Sequence, residues 1–195
     1  MTLEIDLLDT ESAKEAISAV KAVAAANGVE WALVGGIAVA LYGGDRNTKD
    51  VEAIANKLLP LESEGKLRQG GERYSFRVSK REVFVDWIIR NDSFKQLFLV
   101  AVAEAVEING IPVLTPEWLV ILKFIAGRFK DQEDAVFLLS RKGLVDREII
   151  KEKIIKHVGR NAWELARHGY ERWYDMADGR SRDEARDAED GYIDS

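Results

Sequence analysis

Three carboxylates and a glycine pair are the residues of this chain whose types and spacing could do chemistry. Gly35 and Gly36 end the apolar run Leu33-Val34, and Asp50 and Glu52 flank Val51 at the head of the next apolar run. Alternation along a strand puts Asp50 and Glu52 on one face. Two carboxylates so placed repel unless a cation or a solvent shell offsets their charge. Gly35 and Gly36 carry no side chain, so a phosphate can approach their backbone amides closely. Oxygen ligands for a hard cation and bare amides for a phosphate are the parts that a magnesium–nucleotide site requires.

The third carboxylate, Asp86, interrupts Val83-Phe84-Val85-Asp86-Trp87-Ile88-Ile89. Left unpaired among such neighbours it would cost several kcal/mol of desolvation, so it calls for a basic partner or a metal. If its strand lies beside that of Asp50 and Glu52, three oxygen donors can surround one or two magnesium ions. That arrangement suits phosphoryl or nucleotidyl transfer. A solvent-facing acid at a strand edge, or an ion pair with one of the arginines, is the competing reading of Asp86.

The elements that must position these groups follow from periodicity. Ala13, Ala16, Ile17, Val20, Val23 and Ala24 recur at helical spacing, which predicts a helix from Thr10 or Glu11 to about Asn27, stopped by Asn27-Gly28. Strands are expected at 30–34 and 51–54, with a short helix at 37–42 between them. A helix disturbed by Pro60 is expected at 56–64, then a polar loop at 65–72 and strands at 74–78 and 83–89. Asn109-Gly110 marks a hairpin between 105–109 and 111–114. Thr115-Pro116-Glu117 supplies a cap and a first-turn proline for a helix at 118–128. Helices are expected at 131–141, 147–157 and 162–176 as well. The fold class is therefore α+β: a small mixed sheet with flanking helices over 1–114, a helical subdomain over 115–177, and an acidic tail over 178–195 expected to be flexible.

Composition narrows the function. The 195 residues carry 28 basic and 34 acidic side chains, a net charge of −6, which argues against coating nucleic acid by bulk charge but leaves a local basic groove open. With no cysteine, thiol catalysis and zinc–thiolate sites are excluded, and His157 and His168 are too few for a histidine-rich metal site. No apolar run approaches the ~18 residues of a membrane span, and the acidic start does not read as a signal peptide, so a cytoplasmic protein is expected.

Taken in order, Gly35-Gly36, Asp50-Val51-Glu52 and Asp86 resemble the DNA polymerase β-type nucleotidyltransferase superfamily, as does the lead-in Arg46-x-Thr48-x-Asp50. Within it the chain is similar to minimal nucleotidyltransferases of the abortive-infection toxin type. That likeness rests on Pro116-Glu117-Trp118-Leu119, Lys123 and Arg128-Phe129-Lys130-Asp131-Gln132-Glu133-Asp134, and covers roughly residues 30–140. The resemblance implies a nucleotidyltransferase core that moves a nucleoside monophosphate from an NTP to an acceptor hydroxyl, with Mg2+ or Mn2+ as cofactor. It implies that Asp50, Glu52 and Asp86 are metal ligands and catalytic, and that Gly35, Gly36, Arg46, Thr48 and Lys123 bind the nucleotide. RNA, a tRNA 3′ end in particular, is the acceptor it suggests, with a cognate antitoxin chain as partner. Glu52 departs from the more usual Asp and lengthens that ligand by one methylene.

Each role has a plainer counterpart. Gly pairs often make tight strand-to-helix turns. Thr48 can cap its loop, and Lys123 can snorkel from Leu119-Val120-Ile121-Leu122-Lys123-Phe124-Ile125 to water. Asp131 is suited to capping the helix that follows it, and Asp134 to an ion pair with Lys123 or Arg128. Trp163, Tyr170, Trp173 and Tyr174 read as core packing. Arg68, Arg73, Arg77, Lys80 and Arg81 form a basic cluster that either receives a phosphate backbone or is a solvated face. Two other functions remain open: transfer to a small molecule of the aminoglycoside type, and a degenerate, non-catalytic nucleotide-binding or antitoxin-like module.

Overall fold

Apolar residues alternate with polar ones along the first half of the chain, and in the computed structural model, which describes residues 7–45 and 47–179, that half folds around a sheet. Two compact units divide between Thr115 and Pro116. The first contains α1 (Thr10–Ala26), β1 (Trp31–Val34), α2 (Gly35–Leu41), β2 (Val51–Ala55), β3 (Gly65–Lys66), β4 (Gly71–Arg77), β5 (Glu82–Ile88), α3 (Lys95–Ala103), β6 (Val106–Ile108) and β7 (Ile111–Val113). The second contains α4 (Pro116–Ala126), α5 (Phe129–Ser140), α6 (Arg147–His157) and α7 (Arg160–Ala177). The α+β class and the helical second half are as expected from the sequence.

The strand order is β3-β4-β5-β2-β1-β7-β6. β2 runs parallel to β5 and β1 parallel to β7, while the other neighbours are antiparallel. Val51, Ala53, Val83, Val85, Trp87 and Tyr74 share one face and are buried. α1 packs on β2, β4 and β5 and buries Ala13, Ala16, Ile17, Val20 and Ala24 at the spacing of one helical stripe. Its N-terminus is closed by Asp9, whose Oδ1 accepts from the amides of Glu11 at 3.1 Å and Ser12 at 2.9 Å. At the far end of the sheet the Asn109-Gly110 turn has φ of +51° and +74°, the pair of positive values that a two-residue hairpin needs.

Three stretches differ from expectation. No helix forms over 56–64, because the peptide groups there are committed elsewhere. The Asn56 amide donates to the Glu30 carbonyl at 3.0 Å, while the Lys57 carbonyl accepts from the Trp87 indole at 2.9 Å and that of Leu59 from the Tyr74 hydroxyl at 3.3 Å. Pro60 removes a further donor. The expected polar loop after it supplies β3 and the start of β4. Conversely, the run around Phe98–Ala103, legible only as an apolar stretch, is the helix α3, and Asp92 Oδ1 accepts from the Phe94 amide at 3.1 Å just ahead of it.

In the second unit α4 packs on α5 and α6, and α7 on α5 and α6. Trp163, Tyr170 and Trp173 are buried, as the aromatic stripe predicts. The Phe124 ring stacks on Tyr170 at 4.0 Å between centroids. Gly169 permits this, since a Cβ there would lie 2.6 Å from Phe124 Cζ. Among the described residues no helix is long and apolar enough to cross a membrane.

Candidate active site

Strand register places the predicted carboxylates on one sheet face. Glu52 on β2 faces Asp86 on β5, and Asp86 faces Arg73 on β4. On the other side of β2, Glu52 faces Val34, the residue before Gly35. Residues opposite one another project from the same sheet face, so a single row crosses four strands. Asp50 lies two residues before Glu52 at the mouth of β2, on that same face. This side of β5 is open at Glu82 and Phe84 and closes over at Asp86 and Ile88, whereas Val83, Val85 and Trp87 on the opposite side are all buried.

The row is organised by Arg73. Its Nε and Nη2 donate to the two oxygens of Asp86 at 2.6 and 2.9 Å, and Nη2 also donates to Asp50 Oδ2 at 3.3 Å. A two-pronged guanidinium–carboxylate pair is among the strongest ion pairs available to side chains. It explains how Asp86, only 8% exposed, is tolerated among apolar neighbours. The Asp86 hydrogen bond raises the arginine's already high pKa, against partial burial. The guanidinium also stands 5.6 Å from the ring centre of Phe84, two residues before Asp86 on the same strand face. Thr48 Oγ1 lies 3.0 Å from the Asp50 carbonyl oxygen and 3.4 Å from Asp50 Oδ1, bracing that residue.

Glu52 turns the other way. A Cβ placed on Gly35 would fall 1.9 Å from Glu52 Oε2 and 3.0 Å from Glu52 Cβ, so the glutamate side chain lies directly over the bare α-carbon. Gly35 has φ of +70°, and it is glycine for both reasons. Gly36 is buried in the first turn of α2. Arg46 lies outside the described residues.

The donor set suits a hard divalent cation in its chemistry, since all three side chains offer carboxylate oxygens. The space between Asp50 and Asp86 already holds a positive charge, that of Arg73. Among the described residues, no three acidic, histidine or cysteine side chains stand together as a ready metal cluster.

Lys123 belongs to the helical unit. The residue is 5% exposed, and its ammonium lies 2.6 Å from Asp134 Oδ2 and 3.6 Å from Asp131 Oδ1. Arg128 closes the network, donating through Nε and Nη2 to Asp131 at 2.6 and 3.1 Å. The expected Lys123–Asp134 pair is therefore formed. Asp131 sits in the first turn of α5 rather than capping it, because Arg128 takes the N-cap position and holds both its oxygens. Burial pushes the Asp131 pKa up, but the Arg128 hydrogen bonds and the charges of Lys123 and Arg128 outweigh it and leave the group below its ordinary value.

Sequence reasoning placed Arg73 in a basic cluster and missed its role. The signal was the hairpin itself: residues equidistant from the Ser79–Lys80 bend face each other, which sets Arg73 opposite Asp86. The cluster is dispersed by the fold. Lys80 pairs with Glu11 and Arg81 donates to the Leu7 carbonyl, while Arg68 and Arg77 are exposed.

Several solved structures are similar to this one. A crystal structure of an antigenic nucleotidyltransferase-like protein from Paracoccidioides brasiliensis matches with 16% identity over 82% of this chain and 94% of that one, at a TM-score of 0.49. An H. pylori protein assigned as a nucleotidyltransferase matches with 14% identity over 81% and 83%, at 0.48. The antibiotic-resistance factor ANT(2'')-Ia, known from a solution structure, matches with 12% identity over 85% and 96%, at 0.34. No family profile and no curated protein matches the sequence. The site is accordingly read from its own residues.

Gly35→Ala is expected to destabilise the chain by about 1–2 kcal/mol from backbone strain alone, plus the clash with Glu52. In a Glu52→Ala background the clash disappears, so urea unfolding should show a smaller Gly35→Ala cost there. Equal costs in both backgrounds would mean that Glu52 does not lie on Gly35. Asp134→Ala leaves a buried ammonium with only the more distant Asp131, for an expected cost of about 3 kcal/mol, the lower end for breaking a buried pair. Asp131 should make stability pH-dependent. Its folded pKa is lowered, so its contribution is full above the ordinary value of 3.8 and is lost as pH falls through the folded value. That acid-limb dependence should shrink in Asp131→Asn.

Proposed function

We propose that this chain is a metal-dependent nucleotidyltransferase that moves a nucleoside monophosphate from an NTP to an acceptor hydroxyl and releases pyrophosphate. The observation that carries the reading is the register of Glu52 with Asp86 on adjacent parallel strands, with Asp50 on the same face and the Gly35-Gly36 turn one strand away. Asp50, Glu52 and Asp86 are the residues that would hold magnesium. The ion supplies charge neutralisation and polarisation of the α-phosphate when bound.

The chain's own groups have distinct tasks in this reading. Asp86 is more enclosed than Asp50 and Glu52 and is suited to taking the proton from the acceptor hydroxyl. Asp50, at the strand mouth and braced by Thr48, is the more accessible ligand. For the Gly35 amide to receive the triphosphate, the Glu52 side chain that covers it has to turn away. Exposed Arg77 lies on the same β4 face as Arg73, the side from which an RNA acceptor would be received.

A second reading has a specific observation behind it. Arg73 bridges Asp50 and Asp86 as a permanent counter-ion would, which suits a degenerate nucleotide-binding module without turnover.

Incubation with each α-labelled NTP and Mg2+, with either total tRNA or an aminoglycoside as acceptor, separates these readings. Label is expected to move to the RNA, and to fall at least about a hundredfold in Asp50→Asn and Asp86→Asn. Transfer to the aminoglycoside instead would reassign the acceptor. Nucleotide binding without transfer to either would favour the degenerate module, and neither binding nor transfer would sink the nucleotidyltransferase reading.

A further inference from the structure

An arginine in the middle of a strand, aimed at the carboxylates meant for a metal, compensates Asp86 for its burial. The pair is only part-buried, with Arg73 reaching the surface, and it stabilises little over a well-packed apolar pair, so stability alone gives no reason to retain both charges. The position of Arg73 is also specific. It is held from three sides: by both oxygens of Asp86, by Asp50 Oδ2, and by the ring of Phe84. All four residues stand on one sheet face, so the guanidinium lies where a cation shared by Asp50 and Asp86 would lie.

Resting on the nucleotidyltransferase reading, we infer that Arg73 is the resident counter-cation of this site and competes with the divalent cation for Asp50 and Asp86. Without metal its guanidinium neutralises both carboxylates and keeps the site assembled. Metal entry requires the guanidinium to leave, because a carboxylate oxygen committed to a short guanidinium hydrogen bond is a poorer donor to a metal. The geometry gives the arginine a way out. Its side chain is 39% exposed and lies on the open side of the sheet, so it can swing to solvent without disturbing the core. Bound metal and bound Arg73 are thus alternative states, and their free-energy difference sets the apparent metal affinity.

Manganese alone is the probe, with binding to the full-length protein followed by calorimetry and by the loss of the free-ion paramagnetic resonance signal. Arg73→Gln removes the competitor and is expected to bind Mn2+ at least about tenfold more tightly than the native chain, equivalent to one decade in Kd. Arg73→Lys keeps the charge but not the two-pronged grip, and should fall between the two. In the Arg73→Gln background, Asp86→Asn should abolish the gain. Removing Arg73 leaves the carboxylates to repel one another, so Mn2+ should raise the thermal midpoint of Arg73→Gln more than that of the native chain. If Arg73→Gln does not fold, the Lys variant carries the comparison. Equal or weaker Mn2+ binding in the variants, with clear binding by the native chain, would overturn the competition and leave the nucleotidyltransferase reading standing. No Mn2+ binding by any of them would overturn both.

Discussion

The structure depends on one cross-strand alignment: Glu52 beside Asp86, and Asp86 beside Arg73. Both pairings are fixed by burial of the opposite sheet face. Val51, Ala53, Val85, Trp87 and Tyr74 are fully buried there, and a slip of one residue would turn them to solvent and the charged row into the core. The apolar face therefore enforces the geometry of the polar one. Within the row the charges are mutually dependent. Asp86 is tolerable inside the sheet because Arg73 grips it, and Arg73 is fixed because Asp86, Asp50 and Phe84 converge on it.

Glu52 illustrates the same economy on a smaller scale. Its longer side chain folds back over Gly35, so the glycine serves packing as well as the turn. The residue that departs from the resembled motif is thus accommodated by the motif's own glycine. The helical unit solves a similar problem separately. Lys123 is placed by helix periodicity after buried Leu119, Val120, Ile121 and Leu122, and Asp134 and Asp131 on the next helix compensate it. Its ammonium is already spoken for, so a nucleotide-binding role for Lys123 has to compete with that pairing.

What was legible in the sequence was local. Asp50 and Glu52 alternate on one strand, Asp86 stands out in an apolar run, and Asn109-Gly110 announces its hairpin because only certain residues accept positive φ. The helices of the second half were legible through caps and periodicity, α6 to the residue. What was not legible depends on contacts distant in the chain. The stretch after β2 has helical composition, yet its carbonyls are taken by Trp87 and Tyr74. α3 shows no side-chain cap at Phe94 and lacks a strong polar face, so it reads as a featureless apolar run. Arg73 looked like one of five surface bases until hairpin register set it against Asp86. Its chemical meaning lies in its partner, and composition does not carry that.

The central claim is that Asp86 clamps Arg73 as the cation of this site. It is tested most directly by the side-chain Nε–H resonance of Arg73 in a 15N-labelled protein. In the native chain this proton is expected to be shifted and to exchange slowly with water, and in Asp86→Asn to exchange like that of an exposed arginine. A resonance that exchanges fast and identically in both proteins would contradict the account, because the pair on which the site is built would not exist in solution.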